Sequence, residues 1–238
     1  MLPPSLKCAD RVMKQLTVSG LRRCVLQLIV YALGLFVMAV GVSFSVNSNL
    51  GVSPLNSIPY VLSQITGLAL SLCVVIVCAA FILFQIILLG RRFRPVQLTQ
   101  MLFSFLFGYF IDLANWLTGG FNIPTYAGKL LMLAISVVLI AFGVTLYVGA
   151  KLIPMPLEGF PLALAQRFEQ PFPKMKNLVD CTMVACAALM SLLFLHKFVG
   201  VREGTIIAAL ATGRLMGLIR EPLSKKLNRL LQREGLES

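Results

Sequence analysis

The sequence predicts an all-α polytopic membrane protein with six transmembrane helices, arranged as two inverted-topology repeats of three helices each. The first observation behind this prediction is composition, because 58% of the 238 residues are hydrophobic, 13% are charged and the mean hydropathy is +0.88. Such a chain has too little polar surface for a water-soluble globule. The second observation is a set of six long apolar runs, and the third is a similarity between the two halves of the chain.

The apolar runs have the length that a membrane crossing requires. A hydrocarbon core of about 30 Å is crossed by about 20 apolar helical residues. Runs of this kind occur at 25–46, 68–89, 98–117, 129–149, 178–196 and 203–219. The first run is longer than the core of a signal peptide and no small-x-small cleavage site follows it, so we expect it to remain as a span.

The basic residues predict the orientation of these spans. Seventeen of the 21 Lys and Arg residues fall in four segments, 1–24, 90–97, 150–177 and 220–238. Six crossings place all four segments on one side, and the positive-inside rule makes that side cytoplasmic, with both termini inside. The net charge of +12 could indicate binding to nucleic acid, but this distribution of the basic residues argues against it. The C-terminal segment is basic and amphipathic, which predicts contact with anionic lipid.

The two halves of the chain match when the sequence is aligned with itself. At an offset of 102, residues 39–64 meet residues 141–166, and ten of the 26 pairs are identical. The identities include a glycine, two prolines and a glutamine, which shared hydrophobicity does not explain. Each repeat then contains three crossings and one short proline-marked helix. Because three is an odd number, the second repeat starts on the opposite side of the membrane and is inverted relative to the first, as in many secondary transporters.

This repeat predicts the domain organisation. The predicted order is a cytoplasmic N-terminal tail (1–24), a first membrane repeat (25–117), an outer linker (118–128), a second membrane repeat (129–219) and a cytoplasmic basic amphipathic tail (220–238). The first short helix then lies on the outer side of the membrane, and its counterpart lies on the inner side.

The two short helices are predicted at 54–66 and 156–168, each too short to span at about 20 Å. Ser53 before Pro54 is a typical helix start, whereas Pro59 removes a hydrogen bond inside the helix. Broken backbone at membrane depth is tolerated only beside protein or a water-filled cavity. This favours a re-entrant half-helix that lines a substrate path, with an amphipathic helix lying flat at the interface as the alternative.

Ionisable residues inside or beside the apolar segments are the strongest site candidates. Glu158 replaces Asn56 at the third helical position of the second repeat, where it either caps the helix or couples transport to a proton or cation. Arg214 and Asp112 lie within predicted spans, and Arg214 either binds an anionic group, pairs with Asp112 as a gate, forms a structural ion pair or snorkels to the surface. The predicted substrate path comprises Ser53, Pro54, Asn56, Pro59, Gln64, Asp112, Pro156, Glu158, Pro161, Gln166 and Arg214.

A family resemblance is carried by the glycine-rich first span, the "LGVSP" turn, the Arg-rich loop after residue 89 and the aspartate in "GYFIDL". Through these features the chain resembles the YczE/YyaS/YitT group of bacterial integral membrane proteins over most of residues 24–220. The resemblance implies a bacterial inner-membrane location and says little about substrate. The second repeat departs from the pattern at "IPMPLEGFP", so no site there follows from the resemblance.

The predicted function is secondary transport of a small polar or anionic solute by alternating access. The alternative is a non-transporting membrane scaffold or a regulatory subunit of a partner complex. We expect neither an enzyme nor a cofactor, because the sequence shows no nucleophile–base constellation, no metal-ligand cluster and no phosphate loop. The expected partners are the bilayer and a small solute, while homo-oligomerisation, the coupling ion and the direction of transport stay open.

Overall fold

The computed structural model describes residues 18–90, 93–119, 121 and 123–233, and every regular element among them is helical. Most of the predicted N-terminal tail and the last five residues of the C-terminal tail lie outside the described residues. A short 3₁₀ helix, Pro95–Leu98, precedes the fourth α-helix. The α-helices of the described part are α1 (Val18–Ser48), α2 (Pro54–Thr66), α3 (Leu70–Leu89), α4 (Thr99–Thr118), α5 (Tyr126–Gly149), α6 (Pro156–Arg167), α7 (Phe172–Leu195) and α8 (Glu203–Arg233).

Five helical segments of the described part are long and apolar enough to cross a membrane. They are Cys24–Ser48, Leu70–Leu89, Pro95–Thr118, Tyr126–Gly149 and Phe172–Leu195. The protein is therefore an all-helical, multi-pass membrane protein. The sixth predicted span, 203–219, is helical within α8 but is not one of these five, because the first 18 residues of α8 include three charged residues, Glu203, Arg214 and Arg220. Six crossings therefore stay a prediction.

The centre of the bundle is the crossing of α1 with α5. A Cβ on Gly34 would lie 2.6 Å from the backbone nitrogen of Tyr147, and a Cβ on Gly41 would lie 2.8 Å from Cγ1 of Ile140. The later residue of α1, Gly41, thus contacts the earlier residue of α5, Ile140. The order of the contacts is reversed between the two helices, so they run antiparallel. Glycine is required at such crossings because a side chain would keep the backbones apart.

The two halves of the chain repeat their elements in the same order, long, short, long, long. The short helices α2 and α6 begin 102 residues apart, at proline in both cases. Asn49 and Lys151, also 102 residues apart, both adopt the uncommon left-handed conformation, with φ 55° and 58°. Gly67 and Glu169 repeat the coincidence after the short helices, with φ 71° and 53°. The backbone therefore follows the same local path twice.

Each short helix packs against a long helix of the other half, α2 against α7 and α6 against α3. The N-terminal turns are buried, and Asn56 in α2 and Glu158 in α6 are only 1% and 6% exposed. The C-terminal turns are exposed at Gln64 and Gln166. A helix lying flat on the membrane surface exposes one face along its whole length. The burial of the N-terminal turns therefore favours the re-entrant interpretation over the interfacial one.

Candidate functional site

Glu158 lies at the centre of the candidate site because the local sequence points it into the bundle. Pro156 occupies the first position of α6, where its missing N–H costs nothing, and Glu158 follows at the third position. Among the residues that the structure describes, Glu158 is the only acidic or basic side chain that is buried. Lys, Glu, Arg and Asp are almost never fully buried unless they are paired. A buried carboxyl at this place therefore requires a specific explanation.

The two carboxyl oxygens of Glu158 have no hydrogen-bond partner among the described residues, and the hydroxyl of Tyr147, which faces this carboxyl, has none either. The capping alternative requires the Glu158 carboxylate to accept a hydrogen bond from backbone at the start of α6; its own backbone N–H acts on the carboxylate, but no hydrogen bond is formed among the described residues. An unpartnered buried polar group costs about 1–3 kcal/mol, and more if it is charged. Such groups in native proteins mark an ordered water, a bound ion or a functional role.

The groups around Glu158 come from four helices. Tyr31 of α1 and Cys78 of α3 lie close enough to interact electrostatically with its carboxyl. The Tyr31 hydroxyl donates a hydrogen bond of 3.1 Å to the carbonyl of Ile153, so it is already engaged. From α7, Lys176 and Asp180 also act on Glu158. The site thus combines one buried carboxyl, an unpartnered tyrosine hydroxyl and a nearby charged pair.

Lys176 and Asp180, one turn apart on α7, form a salt bridge with each other. Nζ of Lys176 lies 3.2 Å from both carboxylate oxygens of Asp180. Because Lys176 is held by Asp180, it does not contact Glu158. Burial raises the pKa of the Glu158 carboxyl above its usual range, and the positive charge of Lys176 offsets this only in part. The dipole of α6 favours an anion at its N-terminus by only about 0.3–1 kcal/mol, which is less than the several kcal/mol that desolvating a charge costs.

A small cavity of about 30 Å³ lies on the other side of α6. Its lining includes four glutamines, Gln85, Gln97, Gln100 and Gln166, together with Gly159. This volume admits one or two water molecules, so this end of the bundle is closed to any larger solute in the structure. A side chain at Gly159 would fill the gap, since its Cβ would lie 3.2 Å from Oε1 of Gln85.

Two of these glutamines connect α3 and α4 to the start of α6. Nε2 of Gln85 donates to the carbonyl of Pro156 at 3.2 Å and to Oε1 of Gln100 at 3.4 Å. Of the four glutamines, the sequence analysis predicted Gln166 alone. Gln85 and Gln100 could have been predicted, because they lie in strongly apolar runs. Burying a polar side chain within a membrane segment costs free energy, so such residues face the interior of the bundle.

A second cavity, of about 10 Å³, lies at the opposite end of the bundle beside α2. Ser45, Asn49, Tyr60 and Arg202 line it, and Nη1 of Arg202 donates to the carbonyl of Asn49 at 3.1 Å. None of the predicted path residues lines this cavity, which the sequence analysis missed. Of the residues that the structure describes, none lines both cavities.

The structure places Asn56 at the position of α2 that matches Glu158 in α6. Its Nδ2 donates to Oγ of Ser53 at 2.9 Å, while its Oδ1 has no partner among the described residues. We predicted that the Ser53 side chain would cap α2. Ser53 occupies the N-cap position, but its hydroxyl forms no capping hydrogen bond and accepts one from Asn56 instead. The remaining prolines of the predicted path are buried, namely Pro54, Pro59, Pro156 and Pro161.

The structure does not bring Asp112 and Arg214 together. Both side chains are exposed on the outside of the bundle, and in the described ranges no ion pair joins them. On α4, Ile111 and Ala114 occupy the face that packs inward, which turns Asp112 away from the core. The predicted gate between these two residues is thus not formed, and neither lines the cavity beside α6 or the cavity beside α2.

Comparison with known proteins gives one family match. A family model described as "Family of unknown function (DUF6198)" matches residues 25–221. An uncharacterized membrane protein of Bacillus subtilis (strain 168), YczE, is 28% identical over 187 residues, which cover 78% of this chain and 81% of the relative. A second protein of that organism, the uncharacterized YyaS, is 25% identical over 189 residues, or 78% and 88% of the two chains. No solved structure matches.

Proposed function

This chain belongs to the DUF6198 family, with the membrane protein YczE and with YyaS among its relatives, and from this premise we propose that it is a secondary transporter of a small polar solute. It would work by alternating access in the bacterial inner membrane. In this proposal α8 supplies a sixth crossing through residues 203–219, and both termini are cytoplasmic, in keeping with the distribution of basic residues.

The observation that carries the proposal is the matched pair of short helices, α2 and α6. Each buries one polar side chain at the same position, Asn56 or Glu158, and each of these side chains has an oxygen without a partner among the described residues. Discontinuous helices that present polar groups within the membrane are the usual binding elements of inverted-repeat transporters. A protein without a ligand to bind gains nothing from two unpartnered buried groups at equivalent positions.

The inverted repeat is supported by three features of the fold. The central helices α1 and α5 are equivalent in the repeat and run antiparallel. The left-handed residues Asn49 and Lys151 recur at the offset of 102. Each short helix packs against a long helix of the other half, α2 against α7 and α6 against α3. Rocking one half against the other would thus loosen one short helix at a time, which opens one end of the bundle and keeps the other closed.

The unpartnered buried atoms favour one class of solute. Asn56 Oδ1 can only accept hydrogen bonds, and the Glu158 carboxylate likewise only accepts when it is ionised. The predicted anion-binding residue, Arg214, lies on the outside of the bundle. Each of these two positions therefore suits a part of the solute that donates hydrogen bonds, such as an amine or a hydroxyl group, better than an anionic group.

A ligand screen followed by uptake measurements tests the proposal. Purified protein is first screened for thermal stabilisation by a broad panel of small metabolites, and each compound that stabilises it is then offered to proteoliposomes. We expect uptake of at least one compound, with Asn56→Leu and Glu158→Gln reducing uptake at least tenfold while Glu169→Gln, on an exposed position beyond α6, leaves it unchanged. If no compound stabilises the protein and none is taken up, transport is excluded for that panel's classes.

The exposure of Asp112 and Arg214 favours a second candidate function, that of a scaffold or regulatory subunit. A charge within a membrane helix normally faces protein, and both residues face outward in the described chain. A partner in the membrane would cover them. If the protein is such a subunit, Arg214→Leu will shorten the time for which it stays with a purified complex, whereas the Glu158→Gln variant will remain in the complex.

A further inference from the structure

We propose that Glu158 is the proton-binding group of this protein, and that a proton is therefore the coupling ion of the transport proposed above. In the closed conformation one proton is bonded to a carboxyl oxygen of Glu158, which makes the side chain a neutral acid. Release of that proton leaves the carboxylate, and no other bond forms or breaks. The inference rests on the proposed transport function only for the coupling; the proton site itself stands on geometry.

The burial of Glu158 without a partner is the first step. Neither carboxyl oxygen forms a hydrogen bond in the described chain, although the Tyr147 hydroxyl faces the carboxyl, and no cation is paired with it. An ionised carboxylate in such surroundings takes up a proton rather than remain uncompensated. The neutral acid can donate to the hydroxyl oxygen of Tyr147 or accept from its O–H, whereas the carboxylate can only accept.

The groups that face Glu158 from the surrounding helices are the second step. Tyr31 of α1, Cys78 of α3 and Tyr147 of α5 are neutral partners, while the charged groups are Lys176 and Asp180, both from α7. Lys176 is the only cation of this set, and it forms a salt bridge with Asp180. A neutral Glu158 leaves that pair intact. An ionised Glu158 competes with Asp180 for Lys176, so loss of the proton favours a rearrangement of α7 against α6.

The matching position of the first half supplies the third step. Asn56 has the shape of a carboxyl side chain but cannot ionise in the accessible pH range. The two matched positions therefore differ in one respect, since Glu158 can bind and release a proton and Asn56 cannot. Of the two matched positions only Glu158 can titrate, so a proton held at this pair of positions is held at α6 alone.

A pH titration followed by infrared difference spectroscopy tests the proton site directly, with the proton as the probe. The full-length protein is purified in lipid nanodiscs, and the band of the protonated carboxyl is followed as the pH is raised. We expect a wild-type band that persists well above pH 4.5, the ordinary value for this side chain. The contribution of Glu158 to the band should disappear in Glu158→Gln, the contribution of the part-buried Asp180 is identified by its loss in Asp180→Asn, and Glu169→Gln, at an exposed position, should leave the band unchanged.

Two substitutions on α7 make the test independent of whether Glu158→Gln folds. Lys176→Gln removes the cation near Glu158, so the titration should move to higher pH. Asp180→Asn removes a negative charge and releases Lys176, so the titration should move to lower pH. A wild-type carboxyl that titrates at or below pH 4.5, or no movement with either variant, overturns the proton site.

The titration is read without any solute, which separates this inference from the proposed transport. A raised titration in a protein that moves no compound of the metabolite panel retains the proton site and overturns the coupling. Uptake that proceeds equally with and without a pH gradient, in a protein whose Glu158 titrates normally, retains transport and overturns the proton inference.

Discussion

Gly34 of α1 and Gly143 of α5 touch at the centre of the bundle, so closely that a Cβ on Gly143 would come within 2.7 Å of the carbonyl oxygen of Gly34. Both glycines face backbone rather than flexible side chains, and a substitution there cannot be absorbed by a rotamer change. The crossing of the two equivalent long helices thus depends on the absence of two side chains.

The first prediction concerns that crossing. Gly34→Ala should destabilise the protein by about 1–3 kcal/mol, because the new Cβ would meet backbone atoms of Tyr147 and Gly143. Gly213→Ala is the matched control, since Gly213 lies in helix α8 with no neighbour within 4 Å of an added Cβ. The measurement is thermal unfolding of the purified proteins in the same detergent. Equal unfolding temperatures for the two variants would contradict the close crossing.

The second prediction concerns the pH dependence of stability at Glu158. Burial raises the pKa of this carboxyl in the folded protein above the unfolded value of about 4.5. Between these two values the folded state binds more protons than the unfolded state, so stability falls as pH rises, by up to about 1.4 kcal/mol per pH unit. Glu158→Gln should remove this loss, because glutamine cannot ionise.

Unfolding temperatures of the wild type and Glu158→Gln measured from pH 4 upward check the second prediction. The two proteins should be nearly equally stable at the acidic end and should diverge as pH rises, with the variant becoming the more stable. Titration of other carboxyls cancels in the difference between the two proteins. A variant that is less stable than the wild type at every pH would mean that the carboxylate stabilises the fold.

The third prediction concerns the anchoring of α6 by Gln85. Gln85→Leu removes the donor to the Pro156 carbonyl, and a buried carbonyl left without a partner costs about 1–3 kcal/mol. We expect a loss of stability of that size. Gln170→Leu, an exposed substitution between α6 and α7, should change stability by less than about 0.5 kcal/mol. Thermal unfolding of both variants is the measurement, and similar values would contradict the anchoring role.

The sequence was most informative where the physical signal is strong. Five apolar runs are helices of spanning length, and the two proline-marked helices begin at Pro54 and Pro156 as predicted. Proline at a helix start and a continuous apolar run of about 20 residues each leave few alternatives. The resemblance to the YczE/YyaS group was likewise confirmed by the family match.

The site was harder to predict because it depends on the direction in which side chains point. Asp112 and Arg214 were chosen for their charge, yet neighbouring residues such as Ile111 turn the charged side chains outward. The cavity glutamines Gln85 and Gln100 are 15 residues apart in sequence and meet only because α3 and α4 form an antiparallel pair. Glu158 was chosen as a site candidate by its position alone, and its burial without a hydrogen-bond partner became visible only in the coordinates.

The fourth prediction concerns the sides of the membrane to which α2 and α6 open. In a chain whose natural cysteines are replaced by serine, Gln64→Cys and Gln166→Cys place single thiols on the exposed C-terminal turns of the two short helices. If the repeats are inverted, a membrane-impermeant thiol reagent should label Gln64→Cys in intact cells and should label Gln166→Cys only after the membrane is opened. Labelling of both thiols from the same side would overturn the inverted arrangement, because two short helices that enter from one side cannot be related by an axis in the membrane plane. A thiol at Thr118, at the end of α4 beside Ser43 of α1, serves as an outer-side control that does not depend on either short helix.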